Sequence, residues 1–196
     1  MLDVAMAKAR SEVVIDAAGI LSLKSRKRLW NALAAGLDEH VALAARVKLD
    51  ALCVRRVMPI WAARFDPDEI ESMLSLAEAV VAGSVDANAA ARTRDRFYTD
   101  VVDDRDYGSD HSALYVGHAA ANTVVDAMTP RHVDAMPQAD DDEDLDPESY
   151  LSCYLAACAA AGGMNDRPSS SERRRAFWLW YLDEAVSAAY GISRAS

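Results

Sequence analysis

Glycine, proline and cysteine are scarce in this chain of 196 residues, which has 8, 6 and 3 of them. The shortage of helix breakers, together with abundant alanine, favours helices, because alanine is the best helix former and strands prefer β-branched and aromatic residues. The cysteines (Cys53, Cys153 and Cys158) are odd in number and match no zinc-ligand spacing. We therefore interpret them as small core side chains in a reducing compartment.

Long apolar runs are also absent, and no stretch approaches the roughly 18 residues that a transmembrane helix needs. Charged residues such as Asp3 and Lys8 interrupt the N-terminal segment, where a secretory signal would be continuously apolar. The sequence lacks GxSxG, HExxH and glycine-rich phosphate-binding motifs. We expect a cytoplasmic protein that holds no bound metal and does not contact the membrane.

Charge is distributed unevenly along the chain. The net charge is +5 over residues 1–64, −17 over residues 65–166 and +2 over residues 167–196, which together make −10. An acidic middle repels nucleic acid and attracts basic partners. The basic run at 24–28 is therefore interpreted as the solvated start of a helix and not as a nucleic-acid site.

The predicted fold is all-α, a single compact domain over residues 1–196 with about seven to eight helices. Proline and acidic residues concentrate at 129–147, which predicts a mobile acidic loop. Pro59 is expected to end or kink the helix before it. Helices are predicted at 3–18, 23–36, 38–57, 67–82, 85–104, 110–128, 147–161 and 170–189.

Helix ends are marked by capping residues. Asp66, Pro67 and Glu69 match a capping box with proline at the first helical position. Asp146 and Pro147 repeat the first part of that pattern, and glycine is expected just after the end of each of these two helices.

Two acidic clusters are candidate sites. In "DDDEDLD" the acids alternate as in a calcium loop, but Leu145 replaces the required glycine and Leu151 the bidentate glutamate, which disfavours calcium. A solvated loop and a surface for a basic partner remain alternatives. The second cluster, Asp100 to Asp106, opposes the dipole at a helix end, which predicts either a nearby arginine or a partner.

His118 shares a helix face with apolar residues and is interpreted as a core histidine. The glycine before it, Gly117, predicts close helix–helix contact, since glycine inside a helix is costly. An alternative function, a metal- or nucleotide-dependent helical hydrolase, would use Asp103, Asp104, Asp106, His111 and His118.

The C-terminal stretch "RRRAFWLWYLDEAV" (173–186) begins with three arginines, which we expect to pair with the acidic middle. On a helix, Phe177 and Tyr181 fall on one face with Trp178 and Leu182 beside them, which predicts a core-facing stripe. Trp180 lies on the opposite arc. It either packs under another element or is an exposed anchor for a partner.

This stretch resembles the C-terminal helix of the fifth numbered immunity-protein family of bacterial polymorphic toxin systems. The similarity includes an arginine, the aromatic residues and the following leucine, alanine and valine, and weaker similarity extends over about 60–196. Ser187 stands where the family pattern has proline. The family motif is structural, and it corresponds here to Phe177, Trp178, Tyr181, Leu182 and Ala185.

The resemblance implies an all-helical cytoplasmic protein that binds and neutralises a toxin, is not an enzyme and has no cofactor. The acidic middle indicates a basic toxin domain, for example a nuclease domain, and a generic helical interaction scaffold is a further alternative. The sequence does not indicate an oligomeric state. The predicted partner-binding residues are Asp103, Asp104, Asp106, Asp140, Asp141, Asp142, Glu143, Asp144 and Trp180.

Overall fold

The computed structural model describes residues 2–109, 111–129, 139, 141–145, 149–164 and 168–191, without the side chains of residues 143, 168 and 169. Within these ranges there are helices and no strands, so the predicted all-α class is confirmed. The helices are α1 (Leu2–Ile15), α2 (Leu23–Ala34), α3 (Glu39–Ala62), α4 (Pro67–Val81), α5 (Ala87–Phe97), α6 (Ser112–Met128), α7 (Ser152–Ala161), α8 (Pro168–Trp180) and α9 (Val186–Tyr190).

Helix α6 lies at the centre and packs against α3, α4 and α7, while α1 packs against α2 and α8. Alanines dominate its buried faces and allow the neighbouring helices to approach closely. A Cβ atom placed on Gly117 would lie 3.0 Å from side-chain atoms of both Trp61 and Val102. The close contact predicted for Gly117 is therefore confirmed.

The ends of α4 follow the predicted signals. The Asp66 side chain accepts a hydrogen bond from the Asp68 backbone amide at 3.0 Å, and Pro67 is the first helical residue. The predicted capping box is incomplete, because the Glu69 carboxylate accepts two hydrogen bonds from Arg105 instead, at 2.8 and 2.5 Å. Gly162 follows α7 in the left-handed conformation, with φ of 85°.

Several predicted boundaries are wrong for identifiable reasons. Helix α3 continues through Pro59 to Ala62, because Trp61 is fully buried and its indole donates to the Asp66 carbonyl at 2.9 Å. The predicted helix 85–104 becomes π-helical over Tyr98–Asp103. Helix α7 begins at Ser152, five residues later than predicted, and the predicted cap Asp146 lies outside the described residues.

The arginines that open α8 bind the ends of other helices. Arg173 donates to the Ala161 carbonyl at 2.7 Å, and Arg175 donates to the carbonyls of Val13 at 3.1 Å and Asp16 at 2.6 Å. The Ala161 and Val13 carbonyls belong to the last turns of α7 and α1, where helices leave acceptors unsatisfied, and Asp16 directly follows α1. For Arg173 and Arg175, the predicted pairing with the acidic middle is therefore wrong.

A bilayer could not be crossed by any of the helices that the structure describes, since none is both long and apolar enough.

Candidate partner-binding surface

The acidic patch, Asp100, Asp103, Asp104 and Asp106, follows from the way α5 ends. The π-helical segment Tyr98–Asp103 buries Val102 against the core and leaves the four carboxylates exposed. Asp106 also accepts a hydrogen bond from the Gly108 amide at 2.7 Å, which shapes the turn after the patch.

Arginines hold the backbone of this segment and do not neutralise its carboxylates. Arg105 binds Glu69 of α4, and Arg64 donates to the carbonyls of Asp106 at 3.0 Å and Tyr107 at 2.5 Å. Within the described ranges, Asp100, Asp103 and Asp104 have no basic side chain as an ion-pair partner. The explanation of this cluster by a nearby arginine is therefore not observed, and the patch keeps its negative charge.

The second predicted acidic site divides between interior and surface. Asp141 and Asp144 are exposed and cap a short 3₁₀ turn, Asp142–Asp144. Asp142 is 1% exposed and pairs with Arg26, which is itself fully buried. The prediction of a partner-facing Asp142 is thus corrected, because an enclosed, paired carboxylate cannot reach a partner. Asp140 and the side chain of Glu143 lie outside the described residues.

Arg26 also corrects the interpretation of the basic run at 24–28 as a wholly solvated helix start. Its guanidinium lies 5.3 Å from the ring centre of Trp178 and donates to the Leu21 carbonyl at 3.2 Å. Burial alone would lower its pKa, but the Asp142 carboxylate reverses the direction and raises it. Next to it, Lys27 donates to the Ala139 carbonyl at 2.9 Å, so α2 holds the acidic segment at two points.

The five residues of the family motif, Phe177, Trp178, Tyr181, Leu182 and Ala185, are at most 4% exposed. The Tyr181 hydroxyl accepts a hydrogen bond from the Trp30 indole at 2.7 Å, which joins the C-terminal helix to α2. The helix is π-helical over Tyr181–Ala185. Because its residues are buried, the aromatic stripe belongs to the core. No cofactor is needed to explain it.

Trp180 is half-buried, unlike those residues. Its ring lies 5.1 Å from the Arg56 guanidinium of α3 and 5.6 Å from the ring of Phe177. It therefore packs partly beneath another element, and the role as a partner contact stays a prediction for its exposed part.

The residues of the alternative hydrolase do not form a metal site in the described part of the chain. His111 is exposed at the start of α6, whereas His118 is half-buried with its ring edge-on to Tyr98 at 4.9 Å. Burial lowers the pKa of His118, and the nearby Asp103 opposes this effect. In the part of the chain that the structure describes, no group of three or more His, Cys, Asp or Glu residues could hold a metal ion.

Sequence reasoning missed a buried polar cluster around Arg46. Arg46 binds Asp50 at 2.9 Å one helical turn away, while Asp126 accepts from Ser152 at 3.4 Å. Burial raises the pKa of Asp50 to about 7 and that of Asp126 to about 6, with Arg46 opposing both shifts. The only available signal in the sequence was the spacing of Arg46 and Asp50, which is i, i+4 on α3.

Comparison with known families gives a match that covers most of the chain. The model of the family described as Immunity protein Imm5 matches residues 6–188. This range covers all the described helices apart from the first residues of α1 and the last residues of α9. No curated protein matches this sequence.

Proposed function

Because the chain belongs to the Imm5 family of immunity proteins, we propose that it neutralises one cognate toxin by binding the toxin's C-terminal domain in the cytoplasm. The family match over residues 6–188 is the observation that carries this proposal. Neutralisation by binding is stoichiometric and requires neither catalysis nor a cofactor from this chain. The buried aromatic and charged side chains pack against each other in the core, which is consistent with a protein that acts by binding.

The acidic patch supports a basic surface on the toxin domain. Its carboxylates are exposed and the surrounding segment, residues 65–166, has a net charge of −17. Complementary charge accelerates diffusional encounter and disfavours partners of the wrong sign. A nuclease domain, which needs basic side chains to hold phosphate, is the toxin class that this charge favours.

The structure refines which acidic residues we propose for the contact. Asp103, Asp104 and Asp106 remain, with Asp100 added, because all four are exposed. Asp141 and Asp144 remain as a second group, and Asp142 is removed because it is buried with Arg26. By occupying basic side chains of the toxin, these carboxylates would compete with the toxin's anionic substrate.

The proposal is tested by co-expression with the toxin. The toxin domain is the variable C-terminal domain of a large secreted protein, whose gene is first sought directly upstream of this one. We expect growth arrest by the domain alone, normal growth when this chain is co-expressed, and recovery of the two proteins as one complex. A matched plasmid with a stop codon early in this gene is the control. Continued arrest at equal expression, with no complex recovered, would refute the function.

A further inference from the structure

A groove of about 430 Å³ lies between α1 and α2, apart from the acidic patch. Its apolar lining consists of Val4 and small alanines of both helices, Ala5, Ala9 and Ala32. Lys8 and Arg28 stand at its edges, both exposed, and neither forms an ion pair with a residue that the structure describes. We call this feature the α1–α2 groove.

The outer face of α1 has two exposed aliphatic residues, one lining the groove and one beyond it, with polar residues between them. Val4 is 72% exposed and Ile15 is 78% exposed, although both are large aliphatic residues. Val4, Lys8, Ser11 and Ile15 follow each other at spacings of four, three and four, which places them on one helix face. At 1.5 Å per residue, Val4 and Ile15 lie roughly 16 Å apart along the axis, about three helical turns.

A tight complex needs apolar burial that the acidic patch does not offer. Exposed charges mainly change the association rate, whereas the slow dissociation of tight complexes comes from buried apolar and aromatic anchors. Among the described residues, three of the six exposed large hydrophobic side chains, Val4, Val14 and Ile15, lie on α1. Val4 lines the α1–α2 groove and Ile15 lies on the same helix face beyond it, so this side of α1 offers apolar contact to a partner after encounter.

We propose that the α1–α2 groove receives an amphipathic helix of the cognate toxin, with its apolar face against Val4 and the alanines and its acidic residues beside Lys8 and Arg28. Further along α1, the same helix would reach Ile15. The small alanines of the floor allow a third helix to approach the pair closely. Two positive charges at the edges select a segment of negative charge. This inference rests on the proposed function and adds a second contact surface to it, opposite in charge to the acidic patch.

The same charges disfavour the other occupants of such a groove. In a symmetric dimer formed through α1, the Lys8 and Arg28 side chains of both copies would bring four positive charges to one interface. A membrane surface would attract these cations, but a bilayer is flat, and the alanine floor of a groove lies below its edges. A helix with acidic flanks satisfies both the apolar floor and the charged edges.

Binding kinetics with the purified toxin domain test the inference. The variant V4E/I15E places acids on the outer face of α1, where both side chains are too exposed to matter for folding. We expect the dissociation rate constant to rise about tenfold or more while the association rate constant changes little. The matched control L37E/V41E changes two other exposed aliphatic residues, 42% and 50% exposed, and should bind like the wild type. Equal rates for the two variants would overturn the inference.

Photo-crosslinking identifies the occupant directly. A benzoylphenylalanine in place of Ser11 on the outer face should crosslink to an acidic, amphipathic segment of the toxin, whereas one in place of Val41 should not. Crosslinks only to a second copy of this chain would overturn the inference, and so would a complex without crosslinks. Binding to phosphatidylglycerol vesicles that V4E/I15E abolishes, with toxin binding intact, would assign the groove to the membrane. If no complex with the toxin forms, the proposed function itself fails.

Discussion

At the scale of single residues, Arg26 and Arg46 bring positive charge into the helical core. Arg26 pairs with Asp142, and Arg46 pairs with Asp50 while its guanidinium lies 3.5 Å from the ring centre of Trp30. Removing one partner of a buried pair leaves an uncompensated charge, which destabilises far more than the intact pair stabilises. Arg26 and Arg46 therefore matter for stability, although charged residues are usually found on the solvated surface.

Replacing Arg26 by methionine should lower the free energy of unfolding by about 3 kcal/mol, because Asp142 would stay buried without its guanidinium partner. Urea unfolding followed by circular dichroism measures this change. R28M on the exposed side of the same helix is the matched control and should change it by less than about 0.5 kcal/mol. A loss no larger for R26M than for R28M would contradict the structural role of the Arg26–Asp142 pair.

Asp50 should make the protein less stable as the pH rises. Burial raises its pKa in the folded state to about 7, against about 4 in the unfolded chain. The folded state therefore holds a proton that the unfolded state releases, and the free energy of unfolding contributed by Asp50 falls between about pH 4 and pH 7.

The variant D50N lacks this proton equilibrium and tests the direction. From pH 5 to pH 8 its free energy of unfolding should decrease less than that of the wild type, by on the order of 2 kcal/mol. Chemical denaturation at each pH provides the comparison. Parallel pH profiles for the two proteins would show that Asp50 does not titrate in this range.

At the scale of elements, the sequence predicted several helix ends correctly but missed the π-helical segments within helices. The N-cap at Asp66 and the glycine after α7 follow local backbone chemistry, and α2 and α4 begin where predicted. The π-helical segments at Tyr98–Asp103 and Tyr181–Ala185 were missed. A π-helical turn adds one residue to the helical period, and tertiary contacts such as that of Val102 with Gly117 stabilise it. Local sequence patterns therefore do not reveal it.

The segment after α5 should depend on Arg105 for its order. Arg105 joins it to Glu69 and stacks on Phe65 at 4.7 Å, but it is partly exposed, so its ion pair contributes little to global stability. In R105Q, amide hydrogen exchange over residues 98–108 should become about tenfold faster or more, while the free energy of unfolding changes by less than about 1 kcal/mol. R92Q on the exposed face of α5 is the control. Unchanged exchange in R105Q would show that Arg105 does not hold this segment.

At the scale of the whole molecule, charge is separated between a basic N-terminal third and an acidic middle. The acidic patch belongs to the acidic part and the α1–α2 groove to the basic part. Long-range charge changes the association rate constant, whereas apolar contact changes the dissociation rate constant. The acidic patch should therefore affect association and the α1–α2 groove dissociation.

Reversing the patch in D100K/D103K/D104K should slow association with the toxin domain about tenfold or more at low salt and should flatten the dependence of that rate on ionic strength. The control D3K/E172K/E184K changes net charge equally at three other exposed acids. Stopped-flow mixing at several salt concentrations measures the association rate constant of each variant. If both variants associate at the same rate, net charge and not the patch guides encounter.

The sequence by itself determined the helical class, most helix positions, the core-facing side of the aromatic helix and the family, because these depend on local propensity, on period and on a contiguous motif. The tertiary structure alone decided that Asp142 and Arg26 are buried together, that Arg173 and Arg175 bind helix ends, and that Val4 and Ile15 of α1 are exposed. Asp142 and Arg26 are more than a hundred positions apart in the chain. Partners so distant meet only through packing of the whole chain, which no local pattern records.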